Sequence, residues 1–246
     1  MIEVDTGYYP RPQQDEIHDN LKRFNVLVCH RRFGKTVLAI NALIDAALNK
    51  GLTNPRYAYI APLYKQAKTV AWDYLKHFSR PIPGITINES ELRIDYPNAG
   101  RIQLFGADNP DSLRGQYFDG VVVDEVAQCS PSLYGEVIRP TLADRKGWVL
   151  FIGTPKGHDH FFDLYILAKR DPDWYCKKFK ASETGILDED ELNQAKKQMS
   201  ESEYRQEFEC DFDISSSFVL IPIQVIEGAF DRNVQFHGHP RIMGID

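Results

Sequence analysis

The sequence predicts an α/β fold: a mostly parallel central sheet flanked by helices, with a small lid-like subdomain appended. Three observations carry this. Short segments that are apolar throughout recur along the chain, as strands covered on both faces require. Stretches of helical periodicity separate them, as parallel connections require. After Pro155 the pattern changes to longer charged segments, and 246 residues suffice for one large domain plus a small appendage.

In chain order, Asn25 to Cys29 (NVLVC) reads as a strand and Lys35 to Asn49 as a helix. Arg56 to Ala61 is strand-like, and Tyr64 to Phe78 is helix-like. Leu92 to Tyr96 and Arg101 to Phe105 flank Pro97-Asn98-Ala99-Gly100, which reads as a hairpin turn. Gly120 to Val123 and Trp148 to Ile152 are further apolar strands. His160 to Lys169 reads as helix, Trp174 to Lys180 as strand, and Asp188 to Glu209 as one charged helix. The expected organisation is a main domain over 1–215, its lid-like part over 156–215, and a linker over 216–240. The ending, Arg241-Ile-Met-Gly-Ile-Asp246, reads as the opening of a new strand, so the chain is expected to be a piece of a longer one.

Bulk properties narrow the function. Hydrophobic content of 43% and charged content of 26% are ordinary for a globular protein. No apolar run approaches the ~20 residues of a membrane span, and MIEVDTGYYPRP is too acidic and polar for a signal peptide. Cys29, Cys129, Cys176 and Cys210 are widely spaced, which suggests neither a zinc ribbon nor a disulfide framework and fits a reducing compartment. A net charge of −6 argues against tight nonspecific nucleic-acid binding by a lone monomer, although a local basic strip still acts within about 8–10 Å.

Four motifs carry chemistry. The apolar strand up to Cys29 feeds a turn, then Gly34-Lys35-Thr36, then a helix. Backbone N–H groups at such a junction form an anion site, Gly34 allows close approach, Lys35 faces β/γ-phosphates and Thr36 offers a hydroxyl to Mg²⁺. Asp124-Glu125 stands at the carboxyl end of the strand Gly120 to Val123, where ligands bind in doubly wound sheets. Asp124 suits Mg²⁺ coordination, and Glu125 suits deprotonation of a water attacking a γ-phosphate. Thr154, at the end of Phe151-Ile-Gly153, lies where it could sense that phosphate. In Tyr9-Pro-Arg-Pro-Gln13-Gln14, a glutamine amide could match the two-sided edge of adenine, although the segment by itself reads as extended surface chain. His158 and His160 lack a third partner at metal-ligand spacing. Trp72, Tyr74 and Phe78 read as core-facing aromatics with snorkelling lysines.

Taken in order, Cys29-His-Arg-Arg-Phe-Gly-Lys-Thr36, Ser112-Leu-Arg-Gly115, Val121-Val-Val-Asp-Glu125, Gly153-Thr-Pro-Lys-Gly157 and Tyr204-Arg-Gln-Glu-Phe208 resemble the large terminase subunit of tailed phages. The likeness runs from about Tyr9 to Asp246. It implies an ASCE-type P-loop ATPase that uses ATP and Mg²⁺ to move double-stranded DNA into a procapsid. It implies as partners the portal protein, the small terminase subunit and further copies in a pentameric ring, and as location the bacterial host cytoplasm, docked on the procapsid. The phosphate loop of that family is a deviant Walker A motif, with an arginine three residues before the glycine. Arg31 takes that position here, with Arg32 beside it, and Phe33 completes the loop. A guanidinium there neutralises charge on the transferred phosphoryl group. Arg114 is implied as a finger reaching a neighbouring subunit's ATP, and Gln14, with Gln13 as alternative, as the adenine-facing residue. Met243-Gly-Ile-Asp246 resembles the first strand of the family's RNase H-like nuclease, with Asp246 as a first metal ligand. The remaining ligands are absent, so nuclease activity is not expected of this chain.

Two other readings compete. A superfamily 2 helicase-like translocase shares the glutamine, GKT and DE motifs, but its second domain should carry a QxxGRxxR string, which does not occur here. A nucleotide-gated switch has no need of a base such as Glu125.

Overall fold

The computed structural model describes residues 4–49 and 51–213. The linker expected at 216–240 and the strand opening at 241–246, Asp246 included, lie outside the described residues. The elements are α1 (Pro12–Asn20), β1 (Phe24–Cys29), α2 (Lys35–Asn49), β2 (Arg56–Ala61), α3 (Tyr64–Gln66), α4 (Trp72–Ser79), β3 (Thr86–Asn88), β4 (Arg93–Asp95), β5 (Arg101–Gly106), β6 (Gly120–Asp124), α5 (Arg139–Thr141), β7 (Trp148–Gly153), α6 (His160–Arg170), β8 (Trp174–Phe179), α7 (Ala181–Thr184), α8 (Glu189–Gln198) and α9 (Glu201–Glu207). One sheet runs β3-β4-β5-β2-β6-β7-β1-β8. Its β5-to-β8 part is parallel, while β3 and β4 add an antiparallel edge.

Every residue of β6 and β7 is buried. Along these strands and their neighbours, side chains alternate between two cores. Leu27, Tyr59, Leu150 and Ile152 face the layer holding α2 and α4. Val26, Ile60, Val123 and Phe151 face the layer holding Phe161 of α6 and Phe118. Each large side chain moved fully out of water this way contributes about 1.5–3 kcal/mol. Among the described residues, no helix is long and apolar enough to cross a membrane.

Four expectations change on folding. The lid-like part was expected from 156, but α6 packs on the sheet and β8 pairs with β1 from Phe24↔Trp174 to Cys29↔Phe179. Burial of Trp174 and Phe179 draws this segment into the main body, and only α7–α9 close a small core of their own, around Leu192, Tyr204 and Phe208. The charged helix expected over 188–209 breaks at Met199, because the Ser200 side chain accepts from the Glu203 N–H while Glu203 accepts from the Ser200 N–H. The segment after Tyr9 is helical, not extended: Pro12 starts α1, and Gln14 and Ile17 turn inward. Trp72 and Phe78 are buried as expected, with the Lys76 ammonium 5.3 Å from the Trp72 ring centroid, whereas Tyr74 is exposed.

Candidate active site

Strand order assembles the site. β7 lies between β1 and β6, and the registers pair Val28 with Gly153 and Asp124 with Ile152. All three strands therefore end at one level, and the segments leaving them meet there. Gly153 permits the closest approach: a Cβ on it would lie 3.2 Å from the Val126 nitrogen.

Lys35, at the start of α2, donates from Nζ to Thr154 Oγ1 at 3.0 Å and lies 3.7 Å from Glu125 Oε1. Thr154 Oγ1 in turn donates to the Cys29 carbonyl at 3.3 Å. Asp124, 5% exposed, accepts from Thr36 Oγ1 at 3.3 Å, from the Tyr59 hydroxyl, and at 2.9 Å from the Glu125 N–H. Three donors thus fix the orientation of one buried carboxylate. Burial, reinforced by the Asp124 charge, holds the Tyr59 phenol well above its ordinary pKa, so it remains a donor. Glu125 stands at φ 49°, a left-handed conformation that costs a non-glycine residue roughly 1–3 kcal/mol. That turn lifts its carboxyl off the strand end toward Lys35. Burial raises the Glu125 pKa, while the Lys35 ammonium pulls it down and Asp124 pushes it up.

The loop from His30 to Gly34 is held from outside as well. Gly34 sits at φ +91°, and an added Cβ would lie 3.0 Å from Gln14 Nε2. Gly34→Ala is therefore expected to cost about 1–2 kcal/mol through the left-handed backbone alone, measured as a lowered Tm without ligand. His30 is fully buried. Its Nδ1 lies 2.6 Å from the Arg31 carbonyl, which can only accept, so Nε2 accepts from the Thr184 hydroxyl at 2.9 Å and ties the loop to α7. Arg31 donates its N–H to the Glu207 carbonyl at 2.8 Å, and its guanidinium pairs with the Glu207 carboxylate at 3.4 Å. Arg32 is exposed at φ 68°, and Phe33 is fully buried.

The folded chain thus brings together Gly34, Lys35, Thr36, Asp124, Glu125 and Thr154. It does not bring Arg114 to them: that side chain is 58% exposed and pairs with Asp111 at 3.4 Å. Gln14 packs beside the loop at Gly34. It is 4% exposed, with Oε1 accepting from the Arg11 N–H at 3.0 Å and Nε2 donating to the Gly34 carbonyl at 3.4 Å. Gln13 donates to the Thr184 carbonyl at 2.8 Å. His158 pairs with Asp213 and His160 bonds the Val126 carbonyl, and no metal-binding cluster of His, Cys, Asp or Glu occurs among the described residues. Tyr59, His30 and Arg11 escaped the sequence reading, because strand alternation and proline spacing do not say which distant group a side chain will meet.

A phosphate loop and an acid-ended strand separated by one intervening strand, in a largely parallel sheet, define the ASCE class of P-loop NTPase folds. Residues 29–221 match the family described as terminase large subunit, T4likevirus-type, N-terminal, and the chain belongs to that family. The terminase large subunit of Thermus phage G20c is 30% identical over 184 residues, covering 67% of this chain and 37% of that protein. The chain thus spans little more than a third of the length of this relative. The large terminase ATPase domain of Thermus phage P74-26 superimposes with a TM-score of 0.73 at 24% identity, covering 84% of this chain and 95% of that one. The large terminase of a thermophilic bacteriophage, in complex with ADP, gives a TM-score of 0.65 at 14% identity, covering 78% of this chain and 48% of that one. At these identities the structural likeness shows the fold.

Proposed function

We propose that this chain is the ATP-hydrolysing motor domain of a terminase large subunit, driving double-stranded DNA into a procapsid. The convergence of Lys35, Thr36, Asp124, Glu125 and Thr154 on one point, in a chain of this family, carries the reading. The site suits its ligands. Lys35 is a cation whose side chain is 11% exposed, beside N–H groups at a helix start, which suits phosphate oxygens. The Thr36 hydroxyl and Asp124 carboxylate are hard oxygen donors, which suits Mg²⁺. ATP would supply the phosphoryl group, and Mg²⁺, when bound, would neutralise charge on its oxygens.

The residues divide the remaining work. Lys35 holds β/γ-phosphate oxygens. Asp124, oriented by its three donors, and Thr36 would hold Mg²⁺. Glu125 accepts the proton of the attacking water, a task that its raised pKa favours. Thr154 links Lys35 to the Cys29 carbonyl and so joins the end of β7 to the phosphate loop. Arg31 neutralises the transferred group after leaving Glu207. Its side chain is 67% exposed, and such a pair is worth about 0–1 kcal/mol, so the exchange costs little. Arg114, turned to solvent, acts on a neighbouring copy within a pentameric ring seated on the portal, with the small terminase subunit presenting the DNA. The whole assembly acts in the host cytoplasm, docked on the procapsid.

The test uses the full-length protein with procapsids, linear DNA and ATP, followed by DNase. ATP-dependent protection of the DNA supports the motor; ATP-dependent strand separation without protection replaces it with the helicase reading. Arg114→Ala is expected to depress turnover only under conditions where subunits assemble. An equal loss in demonstrably monomeric protein, by sedimentation alongside phosphate release, removes the role in trans.

A further inference from the structure

We propose that Arg11, assisted by Gln14, is a positioning residue that shapes the phosphate loop from outside. The proposal rests on the nucleotide-binding reading above. Arg11 Nη1 donates to the Phe33 carbonyl at 2.9 Å. Gln14 Nε2 donates to the next carbonyl, that of Gly34, at 3.4 Å. In a trans peptide the C=O and N–H point in opposite directions, and the peptides of the described residues are trans. Drawing the Phe33 oxygen toward Arg11 therefore turns the Gly34 N–H the other way. Drawing the Gly34 oxygen toward Gln14 does the same for the Lys35 N–H. Among the described residues, no acceptor is bonded to either N–H. Both are thus presented together on the side opposite α1, as an anion requires.

The two side chains are built for this task. A Cβ on Gly34 would lie 3.0 Å from Gln14 Nε2 and 3.3 Å from Arg11 Nη1, so both abut the loop directly. The Gln14 amide bonds at one end to the Arg11 N–H and at the other to the Gly34 carbonyl, so it ties the two supports to each other. The shares are unequal. The Gly34 carbonyl also accepts from the Leu38 N–H at 3.1 Å, while Arg11 is the donor that the Phe33 carbonyl receives, through a charged group. Arg11 therefore carries most of the effect.

The experiment titrates fluorescent ATP and GTP analogues into the wild-type chain, Arg11→Ala, Arg11→Lys and Gln14→Leu, and records Tm without nucleotide. Arg11→Ala is expected to weaken both nucleotides by the same factor, about tenfold, the size of one charged hydrogen bond, with a small fall in Tm and no loss of folding because the side chain is exposed. Arg11→Lys should recover part of the loss, since an ammonium can still reach a carbonyl. Gln14→Leu should weaken both nucleotides equally and by less. Wild-type affinity in Arg11→Ala overturns the proposal, as does a loss confined to ATP in either Arg11→Ala or Gln14→Leu, which would mark base recognition. Absence of binding by the wild-type chain overturns the nucleotide reading itself, before any variant is compared.

Discussion

Glu125→Gln is expected to leave ATP binding in place and to lower hydrolysis by about 10²-fold or more, the scale of removing a general base. The amide keeps the shape of the side chain and its place in the left-handed turn at φ 49°. It cannot take a proton from water. Phosphate release measured beside nucleotide affinity separates the two effects, and near-normal turnover would remove Glu125 from its role. The same carboxylate sets the acid side of the pH profile. As the proposed base, Glu125 must be ionised for hydrolysis, and burial raises its pKa. The acid limb of kcat/KM is therefore expected at higher pH than an ordinary carboxylate would place it, and in Glu125→Gln that limb should vanish.

Lys35→Ala is expected to abolish measurable ATP binding. The ammonium sits among Thr154 Oγ1 and Glu125 Oε1, where its side chain is 11% exposed, so solvent cannot substitute for it fully. A unit charge about 4 Å from another near a protein surface is worth about 4 kcal/mol, roughly 10³-fold in affinity. Titration with a labelled nucleotide reads this directly, and affinity within tenfold of wild type would remove Lys35 from the phosphate site. The substitution also reaches Glu125. Lys35 is the neighbour that pulls the Glu125 pKa down most, so its loss pushes that pKa further up and leaves less base at a given pH. An NMR titration of the Glu125 carboxyl, free of nucleotide, is expected to show the upward move.

The central strands were readable because their pattern and their environment share one cause. A strand covered on both faces must be apolar at every position, and Gly120 to Val123 and Trp148 to Ile152 are. The Gly34-Lys35-Thr36 turn and the acid pair, which the fold brings together, were readable for a similar reason. A helix start that accepts phosphate needs Gly34, Lys35 and Thr36 in succession, and a metal-and-water site needs acids at a strand end. These constraints act between residues adjacent in the chain, so they leave a local trace.

What sequence alone could not decide depends on residues far apart in the chain. Nothing in Trp174 to Phe179 says that it pairs with β1; the partner became definite only when burial of Trp174 and Phe179 drew it to the sheet. The capping pair Ser200 and Glu203 was present in the sequence as a helix start, yet the charged pattern ran through it. Local composition suited Gln14 to a base and Arg11 to solvent. The fold instead set both against Phe33 and Gly34, about twenty residues away in the chain. The sequence by itself pointed to the chemistry proposed for the site, because the groups assigned to it lie in short contiguous motifs. Only tertiary structure decided how that site is supported, because Tyr59 on Asp124, His30 on Thr184 and Arg11 on Phe33 are contacts made by chain crossings that no local pattern records.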